Sequence, residues 1–378
     1  MNPSEVQTNL EVISEQFKAE RPERIKRRHL EATDFNKLAE AGYLYTGVPE
    51  SHGGLWQDSA SSVRAYAEFV RTIAAGDPSV ALVAAMHPAV LVFWMAEEME
   101  QSDVSWTHQR EQVFETARQG HWWGTMTSEP GSGGDIMKTR TVAVPMEAPG
   151  GFSLTGEKHF GSGSGQTSFM ITTAKVEGDK HPDLFYMDMR GAPWDGTTGL
   201  KMMVEWDGMG MTATQSHAFT LKNFPAQRIA SREALALSTQ AAAGLGNMLF
   251  TAVILAIAET ALSEAQAKLA PKSASQRSLE RVEWTKAVNE IWLMRQAYEG
   301  TLAAIEQNRQ GNIAAARAKA CCAELAESAL TRLSRVIGGS SFARGMPFAQ
   351  WSQDVRALGF LRPPWALAYD QLYDMSWK

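Results

Sequence analysis

GHWWGTMTSEPGSGG (120–134) and, after a polar turn, GFSLTGEKHFGSGSGQ (151–166) decide how this chain is read. Both stretches alternate with the two-residue period of a strand and are bounded by Gly and Pro turns. Thr125, Thr127, Ser128, Ser162 and Ser164 place small hydroxyls at strand ends. Gly161 and its neighbouring glycines let a flat ligand come close to the backbone. The expected product is a wall for a planar ring with one apolar end and one polar edge.

A flavin is such a ring. Its xylene end needs burial against aromatic side chains, for which Trp122, Trp123 and Phe160 are the candidates, and its pyrimidine end needs N–H and hydroxyl partners. Thr125, Thr127, Ser128 and Ser162 are the candidates there. The same residues carry a resemblance. SEPGSGGD (128–135) followed by LTGEKHFGSG (154–163) resembles the flavin-cradling middle domain of the acyl-CoA dehydrogenase superfamily, whose usual form is Thr-Glu-Pro-Gly-x-Gly-Ser-Asp and then Leu-x-Gly-x-Lys. Ser128 keeps the hydroxyl of the family Thr, whereas Gly134 drops that of the family Ser. FNKLAEAGYLYTGVPESHGG (35–54) resembles the family's N-terminal signature, and WDGMGMTATQSHAFTLKNFPAQRI (206–229) its last β segment, with Thr212 where Arg is common.

Working outward, residues 1–120 show apolar residues at three- and four-residue spacing, which predicts an N-terminal helical domain. Residues 121–225 switch to short alternating runs between Gly, Asp and Pro turns, which predicts a middle β domain. Residues 226–378 return to long amphipathic segments with short links, read as a C-terminal four-helix bundle. The fold class expected is therefore α+β and multidomain, with helical, β-barrel or sheet, and bundle parts in that order.

Composition bounds the function. A chain of 378 residues that is 44% hydrophobic can bury a large core, and a formal charge of −6 leaves no basic footprint for nucleic acid. Two adjacent cysteines, Cys321 and Cys322, lie in a helical stretch where they cannot easily bridge, so a reducing, cytoplasmic setting is expected. The N-terminus lacks an apolar signal region. The 25 residues from Ala234 to Ala258 carry no charge, but Ser238, Thr239, Gln240, Asn247 and two Gly dilute them, so a buried bundle helix and no membrane partner are expected. The eight His residues show no metal-ligand spacing, and no metal is expected.

The resemblance leaves a gap where a dehydrogenase needs its base. An acyl-CoA dehydrogenase removes an α-proton with a carboxylate. The family's usual position, eight residues after the Asp of SQDVRALGFLRPPW, is Arg362, the alternative position on the first bundle helix is Gly246, and no Glu follows Glu327. By contrast AAMHPAVLVFW (84–94) and HFGSGSG (159–165) resemble the superfamily's flavin-dependent monooxygenase branch. That branch implies a separate flavin reductase, O2 as co-substrate, and a dry pocket that hydrogen-bonds an oxygen adduct, with His87 and Ser162 as donors. Arg362 stands in for a missing C-terminal His or grips an acidic substrate.

The expectation is a reduced-flavin, O2-dependent monooxygenase on a small organic substrate. The alternatives are an acyl-CoA dehydrogenase or oxidase with a non-standard base, and a non-catalytic flavin or acyl-CoA binding protein. RVIGGSSF (335–342) resembles the family's Gln-x-x-Gly-Gly loop, which implies that Arg335, Gly338 and Gly339 complete the cofactor site of a neighbouring copy. The implied cofactor is FAD, with FMN as the alternative, in a homodimer or homotetramer.

Overall fold

Apolar residues recurring along one stripe fold the first part of the chain into helices, each started by a polar cap. The computed structural model describes residues 1–95, 104–148, 150–229, 232–361 and 363–377. Helix α1 (Pro3–Ala19) begins with a reciprocal cap in which Asn2 accepts from the Glu5 N–H and the Glu5 carboxylate accepts from the Asn2 N–H. It buries Val6, Leu10, Ile13 and Phe17. Helices α2 (Arg21–Arg24), α3 (Ala32–Glu40), α4 (Ser59–Gly76), α5 (Pro78–Leu91) and α6 (Val104–Arg118) follow. Asp58 and Asp77 cap α4 and α5.

The sheet then runs as β1 (Trp123–Thr125), β2 (Val142–Pro145), β3 (Gly151–Gly161), β4 (Phe169–Val176), β5 (Asp183–Asp188), β6 (Leu200–Val204) and β7 (His217–Arg228). Strand β4 pairs with both β2 and β5, so β2, β3, β7, β5 and β4 close into a ring. Closure removes exposed edges. Met126, Leu154, Met170, Phe185, Met187, Phe219 and Leu221 fill its core. Strand β1 joins in parallel to β4, with Gly124 opposite Met170, and β6 flanks β7.

Five further helices complete the chain: α7 (Arg232–Leu269), α8 (Ser278–Glu306), α9 (Gly311–Ile337), α10 (Phe348–Gly359) and α11 (Trp365–Met375). Helix α7 is long and apolar enough to cross a membrane, yet 78% of its most apolar window is buried. It packs against α4, α5, α8 and α9, as the bundle reading expects. The short α11 was not legible in the sequence. It follows Pro363 and Pro364, which read as a stop, and Ala368 is its one buried residue.

The first and last helices share one core, with Val70 and Ile73 of α4 beside Ile254 and Ala258 of α7. Ion pairs border it: Arg71 meets Glu259 at 2.8 Å and Arg64 meets Glu306 at 2.6 Å. Deeper still, Arg24 binds Asp34 at 2.5 Å and Asp77 at 2.8 Å, and all three side chains are buried. Burial alone would lower the guanidinium, but Asp77 and Asp34 outweigh it and hold it above its ordinary range. Replacing Arg24 with Met leaves Asp77 buried without its cation, so the unfolding free energy should fall by about 3–5 kcal/mol. Urea denaturation at neutral pH measures this, and a loss below about 1 kcal/mol would show the cluster to be solvated.

Candidate active site

Helix α5 presents Met86, Ala89 and Val90 to one cavity, and the turn that follows it adds Phe93. Facing them are Thr125 and Thr127 from the end of β1, Ile171 and Thr173 from β4, and Leu184 from β5. Gly246, Asn247 and Phe250 of α7 close a third side, and Pro363 a fourth. The cavity measures about 230 Å³ and lies where the first helices, the sheet and the bundle meet.

Directly behind the sheet wall lies a buried ion pair. Lys158 of β3 donates to Glu129 Oε1 at 2.6 Å, to the Thr173 carbonyl at 2.6 Å and to Thr173 Oγ1 at 3.3 Å. Glu129 also accepts from the Thr141 hydroxyl at 2.7 Å and the Arg140 N–H at 2.7 Å. Burial pushes the Glu129 carboxyl up, but the bonds from Lys158 and Thr141 prevail and hold it below its ordinary range. Thr173 belongs both to this network and to the cavity wall.

Two other polar arrangements border the site. Ser162 Oγ lies 2.8 Å from Ser216 Oγ, which lies 2.7 Å from Thr214 Oγ1, which donates to the Met211 carbonyl at 2.8 Å. Since a carbonyl only accepts, the chain runs one way and commits the Ser162 proton to Ser216. Lys319 of α9, buried, donates to the carbonyls of Leu361 and, at 2.7 Å, Pro363, and so fixes the segment that puts Pro363 on the cavity. Burial lowers its ammonium to about 7.

No protein-family model matches the chain. Among curated proteins, two Bacillus subtilis (strain 168) proteins named as acyl-CoA dehydrogenases are similar to it, one at 33% identity over 38% of this chain and 23% of its own length, the other at 24% over 93% and 91%. Dibenzothiophene monooxygenase of Rhodococcus qingshengii is 25% identical over 67% of this chain and 60% of its own. The chain thus matches less than two thirds of the first and third of these relatives. Butyryl-CoA dehydrogenase from Megasphaera elsdenii has the same fold, with a TM-score of 0.81 at 17% identity over 99% of this chain and 98% of that one. FMN-bound TdsC from Paenibacillus sp. A11-2 gives 0.81 at 16% over 98% and 96%. The chain has the fold of the acyl-CoA dehydrogenases and is similar in sequence to proteins named acyl-CoA dehydrogenase and dibenzothiophene monooxygenase.

Within this superfamily fold, the expected site residues separate into three groups. Thr125 and Thr127 line the cavity, and among the described residues neither hydroxyl has a hydrogen-bond partner. Ser128, Phe160, Gly161 and Ser162 lie together at the adjoining end of β3, where Ser128 bridges His159. Phe160 adopts a positive φ of 57° and is 58% exposed, so its ring turns away from the core. Arg335, Gly338 and Gly339 line no part of the cavity. They sit at the end of α9, with Arg335 exposed and bonded to Glu283 at 3.1 Å.

Four expectations change. Trp123 cannot face a ligand, because it is fully buried, stacked on Phe169 at 4.7 Å and edge-on to Trp94 at 5.2 Å. Trp122 is likewise enclosed by Phe35, Tyr43 and His87. His87 has no N–H to spare for an oxygen adduct: Nε2 donates to the Leu44 carbonyl at 2.9 Å, and Nδ1 accepts from the Trp123 N–H at 3.2 Å. Burial lowers its imidazole to about 4, so it is a neutral tie between helix and sheet. Ser162 offers lone pairs and not a proton, for the reason given above. Arg362 lies outside the described residues. The sequence reading did not select Met86, Phe93, Thr173, Asn247, Phe250 or Pro363. Asn247 left a signal, as one of two amides in an uncharged run.

Replacing Lys158 with Met should cost about 3–5 kcal/mol at neutral pH by leaving Glu129 buried without its cation. In the parent protein a depressed carboxyl gives stability that is present above its unfolded value of roughly 4.3 and is lost as pH falls below it. In the variant burial dominates and the carboxyl rises, so the deficit should shrink on acidification from pH 7 to 5. Denaturation at both pH values reads the sign, and an unchanged deficit would show that Glu129 has found another partner.

Proposed function

We propose that this protein is a flavin-dependent monooxygenase that uses reduced flavin and O2 to oxygenate a small organic substrate. The observation that carries the reading is the make-up of the cavity: hydrocarbon, threonine hydroxyls and one amide, with no carboxylate or other base among the described residues that line it. Removing an α-proton from an acyl thioester needs such a base. Asp370 and Asp374, the last carboxylates of the chain, are exposed on α11 and line no part of the cavity. The similarity to proteins named as dibenzothiophene monooxygenases supports the same choice.

The residues present fit a flavin. Thr125 and Thr127 carry unpaired hydroxyls on the sheet side, suited to the polar edge, and Ile171, Leu184, Phe93 and Phe250 provide the apolar surroundings. Bound there in reduced form, the flavin supplies the electrons for oxygen activation. The chain itself orients the ring through Thr125 and Thr127, excludes water with the apolar side chains, and presents Ser162 as an acceptor at the neighbouring strand end. His87 holds Trp123 and hence the start of β1.

The finer assignments belong to the same proposal. The flavin is taken as FAD, because exposed Arg335 and the glycines Gly338 and Gly339 at the end of α9 suit a pyrophosphate held between copies, while FMN is the form bound by the Paenibacillus neighbour. A separate reductase would deliver the electrons. Leu279 and Trp292 on α8 and Trp365 and Tyr373 on α11 are exposed, at 72%, 55%, 58% and 65%, which favours a homodimer or homotetramer. Exposed Cys321 and buried Cys322, both free, fit a cytoplasmic protein.

Anaerobic mixing of the oxidised, flavin-loaded protein with a panel of acyl-CoA thioesters should leave the flavin's visible absorbance unchanged. The reduced form should consume O2 and return to the oxidised spectrum. Rapid bleaching by any thioester would overturn the monooxygenase reading. Sedimentation of the flavin-loaded protein should give a dimer or tetramer, and a loaded monomer would remove the shared cofactor site.

A further inference from the structure

Besides the Thr125 and Thr127 hydroxyls, the wall of the cavity contains an amide that its own surroundings leave unused. Asn247 sits on α7 among Leu245, Met248, Leu249 and Val253, all buried, and is itself only 5% exposed. Its carbonyl oxygen on the backbone accepts from Thr251 at 2.7 Å. Among the described residues no hydrogen bond reaches its side-chain amide, whose atoms are not among those sealed from solvent without a partner, and the residue lines the cavity. Buried amides almost always have partners, because leaving water without one is costly. A natural core tolerates the exception where a ligand supplies the missing bonds.

The space beside it is open as well. A Cβ built at Gly246 would meet only Ala89, at 3.9 Å, so the helix surface next to Asn247 is bare. Phe93 and Phe250 flank the opening, and no charged side chain among the described residues lines it. A charged ligand would be desolvated there without a partner. A purely hydrocarbon ligand would leave the amide as it stands.

We propose that Asn247 is the specificity-determining residue, recognising through its amide a single hydrogen-bonding atom on an otherwise apolar, uncharged substrate. This rests on the oxygenase reading for what happens to the substrate afterwards, but the recognition itself is a binding property. A site that hydrogen-bonds its ligand rejects the analogue lacking that bond more strongly than a hydrophobic pocket rejects a change of size.

The test uses the flavin-loaded full chain and two probes of nearly equal shape, indole, which has a ring N–H, and indene, which has none. Indole should bind at least about tenfold more tightly, equivalent to about 1.4 kcal/mol. Asn247→Leu should bring the two affinities together without weakening indene, and Asn247→Ala should do the same if the larger side chain prevents folding. Ligand-free Asn247→Leu should melt no lower than the parent, because an orphaned amide has been replaced by hydrocarbon. Equal affinities in the parent, or a ratio unchanged in the variants, overturns the proposal. Protein that takes up no flavin would sink the oxygenase reading instead, and calorimetry with the same probes on that protein would still decide the role of Asn247.

Discussion

The buried pair of Lys158 and Glu129 is the constraint on which the candidate site depends. Two charges removed from water gain little net stability, since the desolvation cost offsets most of their attraction. What the pair supplies is registry. Glu129 belongs to the loop after β1, Lys158 to β3, and the ammonium also grips Thr173 of β4 on both its carbonyl and its hydroxyl. Three separate backbone segments are thereby fixed relative to one another immediately behind the wall that carries Thr125, Thr127 and Thr173. A sliding strand would break charge-assisted bonds in a medium with no water to replace them.

Helix α5 adds the second fixed surface, and it does so with two faces of different chemistry. Met86, Ala89 and Val90 go to the cavity, joined by Phe93 from the turn beyond, while His87, about a third of a turn from Met86, goes to Leu44 and Trp123. Polar ties are thus spent on holding helix to sheet, where both ring nitrogens are occupied, and the cavity is left to hydrocarbon. Keeping the imidazole neutral is part of the same design, because a buried cation there would face a carbonyl on one side and an N–H on the other.

The architecture was legible in the sequence because it rests on periodicity, and periodicity is local. Three- and four-residue spacing marked the helices of both ends, and alternation between Gly and Pro turns marked the strands. SEPGSGG and LTGEKHF were legible because each is a contiguous motif, although Glu129 of one and Lys158 of the other meet only in the fold. The cavity was legible only in part. Thr125 and Thr127 stand inside a motif, whereas Phe93, Asn247, Phe250 and Pro363 come from segments far apart that meet only through packing. Trp123 and His87 misled for the opposite reason. An aromatic ring or an imidazole beside a motif offers the right chemistry for a ligand, and only the three-dimensional neighbours show that Phe169, Trp94 and the Leu44 carbonyl have already claimed it.

The C-terminal run SQDVRALGFLRPPW shows how a shared fold can keep a position's structural duty while its chemistry changes. Asp354, the acid in that run, is buried and accepts from the Met211 N–H at 2.6 Å and from Gln350 at 2.8 Å. Burial, opposed by those bonds and aided by nearby Asp77, raises its carboxyl to about 7. The contrast with Glu129 follows from partners alone: one carboxylate has a buried cation against it and is depressed, the other has only neutral donors and is raised. Met211 links Asp354 onward, since its carbonyl ends the hydroxyl chain from Ser162. The acid of the run therefore fastens the segment between β6 and β7 to the bundle. A few residues on, Lys319 holds the carbonyls of Leu361 and Pro363, so this stretch shapes the cavity through its backbone. With no acid among the described residues of that wall, the chemistry it favours is that of a dry, neutral pocket, in which the side chains position reactants and do not take a proton from them.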